Sequence, residues 1–511
     1  MNAARYNKAL EIGRPENIKK LFPNSNALIV SGKTMNEIIK AKGDTTLIAA
    51  NGRNEAVLRG SLLAAQAAGS AVIIEIAKSE GGIESSYCPY NYLDLAKKVD
   101  QLANELNIRV PIAIHADHYG IKSQADIDKA MIEIPQMIEA GVTSIAIDAS
   151  HMPDHLNLLA NIALQKVLPS WAGYETEIGE IVGKKGLNTL VDAIFLIAGL
   201  NAHGIFPDWL AINNGTTHGV EKSDAGIQVE LTGEIHEGIK EYDVVGAQHG
   251  TSGNNNDRLT AIRQKTRTTK ANLATALQMI SWGVKVNEFG NAEQANTTNI
   301  AKADLEKMFE KHEATVKLDS FWSQLSALGE DTGINGMYKI DIIANKEKVS
   351  AITKGLEISE KLDKEIQAIL DKYRDFVKED TKGVTTELWN KMMKHALEKK
   401  WRGGDIKKLN KPFETDMLAQ SQEIKDRMVQ DVRDFMIPLM TNVFNSAGTA
   451  KLVVDGILKN SSAEVKRDVK IIANPEEWGV NITDPKEKEE FLRLKSIQMG
   501  VSAALKTGKS E

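Results

Sequence analysis

The chain has 511 residues, which is enough to bury a large core and suggests about two or three domains, although α/β barrels often exceed the usual domain size. The formal net charge of -6 is mild and no basic block stands out, which argues against a nucleic-acid partner. The only cysteine, Cys88, excludes an internal disulfide framework and fits a reducing compartment. Residues 1–20 have no apolar signal core, and no apolar stretch approaches the roughly 20 residues of a membrane helix, so we expect a cytoplasmic protein without a membrane span.

A helix is predicted over residues 34–44, and eight short β-rich apolar runs follow it. They are TTLIAAN (45–51), SAVIIEIAK (70–78), VPIAIHAD (110–117), TSIAIDAS (143–150), AGYETEIG (172–179), DWLAINNG (208–215), DVVGAQHG (243–250) and VKVNEFG (284–290). The intervening stretches, such as residues 54–69 and 269–283, have helical periodicity. This alternation predicts a parallel (β/α)8 TIM barrel whose bottom is covered by the helix at 34–44.

The character of the chain changes after the last predicted strand. Residues 301–511 are rich in Lys and Glu and mostly helical in pattern, as in GLEISEKLDKEIQAILDKYRDFVKED. We therefore predict a barrel domain over residues 1–300 and a helical C-terminal extension over residues 301–511. The extension is interpreted either as an oligomerisation region or as a solvated helical layer without chemistry of its own.

The polar residues fall at the carboxyl ends of the predicted strands. They are Asp117 and His118 on strand 3, Asp148 and His151 on strand 4, Glu175 and Glu177 on strand 5, His218 after strand 6, His249 on strand 7 and Asn287 on strand 8. Active sites of (β/α)8 barrels form at this face. The placement predicts one site built from several strands.

Three histidines from three different strands, His118, His218 and His249, could converge on one zinc ion and leave a coordination position open to substrate. For each histidine alone, a core or loop residue bonded to backbone is the alternative. His115 precedes Asp117 by two residues and is assigned the wrong phase for the site, with a supporting or packing role.

Glycine-rich turns follow the last three predicted strands. They are THGVEK (217–222), HGTSGNNN (249–256) and NEFGNAEQ (287–294). Loops after strands 7 and 8 of such barrels often hold a phosphate through backbone N–H groups. Each turn alone also fits a simple tight loop, but beside the predicted metal they indicate a phosphorylated substrate.

These residues resemble the motifs of the class II, zinc-dependent fructose-bisphosphate aldolase family. IHADH is similar to its H-x-D-H motif, ETEIG to its E-x-E-x-G strand, and THGVEK to its H-G-x-x-K segment. QHGTSG is similar to its H-G-G-S-G phosphate turn, and VKVNEFGNAEQ to its K-[IV]-N-x-D-T-x-x-Q strand. The resemblance spans roughly residues 30–300, with the motifs in the family's order.

The resemblance implies a role for each matching residue. The metal ligands would be His118, His218 and His249, with Glu177 as an outer or alternative ligand, and Asp117 would be the acid–base group at the cleaved carbon–carbon bond. The phosphate and substrate contacts would be Gly219, Lys222, Gly250, Ser252, Asn287 at the enediolate end, Gly290, Asn51, Ser79 and Arg402, the last reaching across a dimer. The implied cofactors are Zn²⁺ and a monovalent cation (Na⁺ or K⁺). The implied assembly is a homo-oligomer, either a dimer or a tetramer.

The expected function is therefore metal-dependent, reversible cleavage of fructose 1,6-bisphosphate, or a close ketose phosphate, to dihydroxyacetone phosphate and an aldehyde. Three departures from the family pattern stand beside it: Lys184 and Lys185 where the loop glutamate is expected, Phe289 and Gly290 in place of an Asp and a Thr, and Thr251 in place of a glycine. The alternative is a non-catalytic homologue acting as a subunit or regulator. A zinc hydrolase on the same barrel is the third reading.

Overall fold

A computed structural model describes residues 3–179, 186–215, 226–287, 297–331, 346–372, 383–401 and 403–507. Eight parallel strands form a closed barrel in which each strand pairs with the next and β8 returns to β1. The strands are β1 Leu47–Asn51, β2 Val72–Ala77, β3 Ile112–Gly120, β4 Ser144–Asp148, β5 Gly173–Ile178, β6 Trp209–Ile212, β7 Val245–Gln248 and β8 Thr268–Leu273. The predicted (β/α)8 barrel is confirmed.

Helices precede and separate the strands. They are α1 Ala3–Gly13, α2 Glu16–Leu21, α3 Gly32–Lys42, α4 Glu55–Ala68, α5 Tyr92–Glu105, α6 Gln124–Glu139, α7 Asp154–Leu164, α8 Leu190–Ala202, α9 Val229–Gly238 and α10 Asn256–Lys265. Several begin at side chains that accept the backbone N–H groups of the first turn, as Asn54 does for Val57 and Ser123 does for Asp126. At these positions the capping residue ends a loop and starts the next helix.

The last strand is not the predicted one. The structure forms β8 from Thr268–Leu273, a stretch that the sequence assigned to a helix, and residues 284–287 lie outside the barrel strands. In β8 the alternate positions Lys270 and Asn272 are polar, which hides the strand within a helix-like pattern. The β-branched residues of VKV, by contrast, mimic a strand.

The amino end of the barrel is closed by α3, as the sequence predicts. Ser31 caps the helix by accepting the N–H of Thr34. Inside the helix, Asn36 donates to the Asp208 carbonyl and accepts from the Thr269 hydroxyl, which ties α3 to the starts of two strands. Tyr6, Met35 and other apolar side chains form a continuous core beneath the strands.

Contacts divide the chain into two compact units. One comprises Met1–Ala274 together with Arg433–Glu511, and the other Thr275–Val432. The sequence placed its boundary at residue 300 instead, and its division into two domains stays a prediction. In the first unit, α19 Thr449–Asn460 packs on α1 and α3, and α20 Pro485–Thr507 packs on α7 and α8.

The second unit is helical and has its own core. Its helices are α11 Thr275–Ser281, α12 Thr297–Lys311, α13 Leu318–Asp331, α14 Lys346–Gly355, α15 Glu360–Lys372, α16 Thr386–Glu398 and α17 Asn410–Leu418. The next helix, α18 Gln422–Pro438, begins among the residues of the second unit and ends among those of the first. Phe309 and Phe321 anchor the core, with Val349, Leu362 and Ile366 around them. None of the helices in the described ranges is both long and apolar enough to cross a membrane.

Candidate metal centre and active site

The strand register decides which side chains enter the barrel. Neighbours in parallel strands that pair in register project to the same side, and every second residue faces inward. Glu75 pairs with His115, and the following inward position of each strand holds Ala77 and Asp117. On the same side lie Glu175 and Glu177 of β5, His249 after β7, and Lys270 and Asn272 of β8.

A bulge in β3 brings two consecutive residues to the site. The register with β4 shifts between Ala116 and Tyr119, and His118 has a φ of 45°, in the left-handed region. A β-bulge re-aims the side chain next to it, and a non-glycine residue in this conformation is a strained one of the kind found at functional sites. Asp117 and His118 can therefore both reach the same cavity.

His118, Glu177 and His249 converge at the carboxyl end of the barrel. Nδ1 of His118 lies 3.0 Å from Oε1 of Glu177, and Nδ1 of His249 lies 3.7 Å from Oε2 of the same carboxylate. The two imidazole rings are 4.4 Å apart between centroids. Asp117, His118 and His249 each offer a ligand atom within 4.8 Å of the others. Two of the three predicted histidines and the predicted glutamate thus come together.

The donor set fits a metal ion. Nε2 of His249 is 2.8 Å from Oε1 of Glu175, whereas its buried Nδ1 has no hydrogen-bond partner among the residues that the structure describes. A buried ring nitrogen without a partner is costly, by about 1–3 kcal/mol, unless something else occupies its lone pair. Imidazole nitrogen and carboxylate oxygen are ligands that Zn²⁺ accepts. These residues could hold such an ion between them.

Asp117 is buried and ionised. Burial would raise the pKa of Asp117, but the nearby charges, those of His118 and Lys270 first, outweigh it and hold the pKa well below its usual range. Oδ1 of Asp117 accepts a hydrogen bond of 3.0 Å from Nδ2 of Asn272. The carboxylate is available to accept a proton from a bound molecule at neutral pH.

Asp148, at the end of β4, supports His118. Its Oδ2 lies 3.5 Å from Nδ1 of His118, and its Oδ1 accepts from the hydroxyl and the backbone N–H of Ser150. Burial would raise the pKa of Asp148, but the bond with His118 and the other contacts lower it to about 2. Burial and the nearby Asp148 charge raise the pKa of Glu177.

Two predicted contacts lie on the loops after β1 and β2. The Asn51 amide donates to Oε2 of Glu80 at 2.9 Å, and Glu80 also binds Arg53 at 2.6 Å, so a buried ion pair joins the two loops. Asn51 keeps its Oδ1 without a hydrogen-bond partner within the described residues. The Ser79 hydroxyl lies 3.4 Å from the Tyr87 hydroxyl. The contact with Glu80 therefore fixes the Asn51 side chain and leaves its Oδ1 available to accept a hydrogen bond.

The structure describes the glycine-rich turn after β7, which was predicted to bind a phosphate. Gly250 has a φ of 61°, which favours glycine, and its carbonyl accepts from the Asn254 amide at 3.1 Å. Ser252 lies in the same turn, and the Thr251 hydroxyl is buried and unpartnered within the described parts of the chain. Several predicted residues lie outside the described residues: His218, Gly219, Lys222, Gly290 and Arg402, together with the departures Lys184, Lys185 and Phe289.

Asn287 does not lie on β8, where the sequence placed it. It is an exposed residue of the segment after α11, and the asparagine that β8 carries is Asn272. The strand pattern K-[IV]-N-x-D-T-x-x-Q begins at Lys270 and ends at Gln278, with Ala271 and Ala274 as its departures. The departures assigned to Phe289 and Gly290 therefore belonged to the wrong strand. Whether Asn287 contacts a substrate stays a prediction.

Sequence reasoning missed Lys270 and Asn272 and mistook the phase of His115. His115 shares the inward face with Asp117 and lies one layer deeper, where its Nε2 is 3.1 Å from Nζ of Lys270. Burial, followed by the Lys270 charge, lowers the pKa of His115 to about 3, so the ring is neutral. The K-x-N spacing in residues 270–272 was the signal that could have found both missed residues.

Comparison with known proteins gives one family match. Residues 33–321 match the family model "Fructose-bisphosphate aldolase class-II". A fructose-bisphosphate aldolase of Streptococcus pneumoniae is 28% identical over 221 residues, which cover 42% of this chain and 68% of that protein. One of Staphylococcus aureus is 28% identical over 168 residues, which cover 31% of this chain and 50% of that protein.

Two solved structures are similar at lower identity. The YdjI aldolase of Escherichia coli K12 aligns at 21% identity with a TM-score of 0.40, over 50% of this chain and 84% of that one. A fructose-bisphosphate aldolase of Campylobacter jejuni aligns at 18% identity with a TM-score of 0.41, over 68% of this chain and 95% of that one.

Proposed function

Because the chain belongs to the class II fructose-bisphosphate aldolase family, we propose that it is a zinc-dependent aldolase that reversibly cleaves fructose 1,6-bisphosphate or a close ketose phosphate. The products are dihydroxyacetone phosphate and an aldehyde such as glyceraldehyde 3-phosphate. The observation that carries the proposal is the convergence of His118, His249 and Glu177 beside the ionised Asp117.

His118 and His249 hold the metal, with Glu177 as the oxygen ligand and His218 as the third predicted histidine. When bound, zinc supplies Lewis-acid stabilisation of the negative charge that develops on the ketose carbonyl oxygen. A monovalent cation (Na⁺ or K⁺) beside the phosphate is proposed on the resemblance alone.

Asp117 moves the proton of the reacting hydroxyl. Its Oδ2 is 3.8 Å from Nε2 of His118 and its Oδ1 is 3.9 Å from Nε2 of His249, so a substrate held beside these rings would lie next to this carboxylate. In cleavage Asp117 accepts the hydroxyl proton, and in condensation it returns the proton. Asn272 fixes Oδ1 of the same carboxylate and leaves Oδ2 free to face the substrate.

The phosphorylated substrate lies at the carboxyl ends of β6, β7 and β8. Gly250 and Ser252 supply backbone N–H groups and a hydroxyl from the turn after β7, and Gly219 and Lys222 are predicted to join them. Asn51, at the end of β1, and Ser79, on the loop after β2, are the proposed contacts of the sugar. We further propose a cytoplasmic homo-oligomer, a dimer or a tetramer.

The test is cleavage of fructose 1,6-bisphosphate by the full chain, with and without EDTA, followed as release of triose phosphate. We expect chelation to abolish activity and Asp117→Asn to lower kcat by about 10²–10⁴, the usual contribution of a positioned acid–base group. Asp128→Asn, on the exposed face of α6, is the matched control and keeps full activity.

The outcomes separate the remaining readings. Activity that survives complete metal removal contradicts the proposal. Tightly bound zinc without cleavage of any ketose phosphate in a panel supports the non-catalytic homologue instead. Cleavage of another ketose phosphate alone keeps the reaction and changes the substrate.

A further inference from the structure

A charged layer lies in the barrel interior beneath the proposed metal centre. Glu75, His115, Glu175 and Lys270 are each at most 1% exposed. The interiors of such barrels are usually filled by branched aliphatic side chains, and burying charged groups is unfavourable unless they are paired. The layer therefore requires a physical reason.

Within this layer, Lys270 and Glu175 form the shortest contact. Nζ of Lys270 is 2.8 Å from Oε2 of Glu175, and 3.1 Å from Nε2 of His115. Because an ammonium group can only donate, Nε2 of His115 accepts, and its Nδ1–H donates to the Ser144 hydroxyl at 2.9 Å. The ammonium group is held in one place by neighbours from β3 and β5.

Glu175 joins this ion pair to the metal centre. Its second oxygen, Oε1, is 2.8 Å from Nε2 of His249, while Oε2 binds Lys270. A carboxylate can only accept, and an imidazole that binds a metal carries a single proton, so that proton of His249 would lie on Nε2. Nδ1 is left deprotonated, and it is the nitrogen that faces Glu177, 3.7 Å from its Oε2.

We propose that Glu175, fixed by Lys270, is a positioning residue that sets the tautomer and ring orientation of His249 for metal binding. The inference rests on the proposed metal-dependent function and extends it to two residues below the centre. Carboxylates that hold the second nitrogen of a metal-binding histidine typically change metal affinity by 10–100-fold. Lys270 acts one step further away, because without it the buried Glu175 carboxylate has no cation beside it.

The experiment measures the dissociation constant for Zn²⁺ by chelator competition, and the visible spectrum of the Co²⁺-substituted protein as a second readout. Glu175→Gln removes the negative charge of the group that accepts from His249. Lys270→Met removes the ammonium group that fixes Glu175, and Glu75→Gln is the matched control. Glu75 is equally buried and lies 3.5 Å from Lys270, but neither of its carboxylate oxygens has a hydrogen-bond partner among the described residues. Thermal unfolding accompanies every measurement.

We expect Glu175→Gln to weaken Zn²⁺ binding by about 10–100-fold and to change the Co²⁺ spectrum. Lys270→Met should act in the same direction, and Glu75→Gln should leave the affinity at the wild-type value. Should Glu175→Gln fail to fold, Glu175→Asp decides, since it keeps the charge beside Lys270 and withdraws the oxygen from His249.

Two different failures are distinguishable. A wild-type chain that binds no metal overturns the proposed function, and this inference with it. A wild-type chain that binds zinc, with folded Glu175 variants that bind it equally well, overturns the inference alone. Equal losses for Glu175→Gln and Glu75→Gln would also overturn it, because the effect would then belong to the layer and not to the contact with His249.

Discussion

Asn272 and Asp117 meet across the barrel, where Nδ2 of Asn272 on β8 donates to Oδ1 of Asp117 on β3 over 3.0 Å. A hydrogen bond to a charged group contributes about 1.5–3 kcal/mol, so Asn272→Ala should lower kcat/KM by roughly 10–150-fold. Steady-state kinetics with fructose 1,6-bisphosphate measure the effect. Asn287→Ala serves as the comparison, since the sequence alone assigned Asn287 to this strand. A larger loss for Asn287→Ala than for Asn272→Ala would contradict the role of Asn272 in holding the Asp117 carboxylate.

Metal binding should stabilise the fold through His249. A ligand that binds only the folded state contributes about 2.7 kcal/mol when it is present at 100 times its Kd, so adding Zn²⁺ to metal-free protein should raise the Tm. His249→Ala should abolish this shift, because it removes the ring whose Nδ1 faces Glu177. His312→Gln is the matched control, since Nε2 of His312 binds Glu365 at 3.0 Å in the helical unit. A Zn²⁺-dependent shift that persists in His249→Ala would argue against this ligand.

The buried pair of Arg53 and Glu80 should matter far more than an exposed one. Glu80→Gln removes the carboxylate charge that lies 2.6 Å from the buried Arg53 guanidinium, and should lower the free energy of unfolding by about 3–5 kcal/mol. Glu105→Gln breaks the partly exposed pair with Arg59 and should change it by less than about 1 kcal/mol. Urea unfolding of the two variants gives the comparison, and similar losses in both would show that burial does not decide the effect.

His236 should make the barrel sensitive to acid. The ring is 2% exposed, and burial, followed by the Arg267 charge, lowers its pKa to about 3. Between this value and the ordinary pKa of about 6.5, the unfolded chain binds a proton that the folded chain does not. Stability should therefore fall as the pH falls through this window, by up to about 1.4 kcal/mol per pH unit from this residue.

The expectation is tested by measuring the free energy of unfolding of wild type and of His236→Gln between about pH 4 and about pH 7, which covers most of this window. The difference between the two proteins should shrink as the pH falls. His151→Gln, at an exposed histidine, should retain the wild-type slope. A wild-type slope in His236→Gln would assign the acid sensitivity to other groups.

Most of the barrel could be predicted because seven strands are apolar runs that end in polar residues. Their alternation with helices is a local property of the sequence, and so is the clustering of Asp117, His118 and His249 at strand ends. The eighth strand could not be found in this way, since the partners of its polar residues, Glu175 and Asp117, lie on distant strands. The hydrophobic pattern therefore does not show that Lys270 and Asn272 point inward, and the K-x-N spacing was the one local signal for them.

The bulge at His118 was equally hidden. Strict alternation along β3 sends Asp117 and His118 to opposite faces, so the sequence alone gives no reason for both to reach one cavity. The resemblance to a known motif supplied that expectation, and the positive φ of His118 supplies the geometry. Motif and backbone conformation together account for the pair.

The first compact unit is interrupted in the sequence, and this has a consequence for synthesis on the ribosome. Chains emerge and fold from the amino end, and contacts between distant residues form late. The floor of the barrel is completed by α19, which packs on α1 from a position more than four hundred residues later. The nascent chain must therefore carry an unfinished barrel through the translation of residues 275–432. Its exposed floor would be a target for chaperones until the last helices emerge.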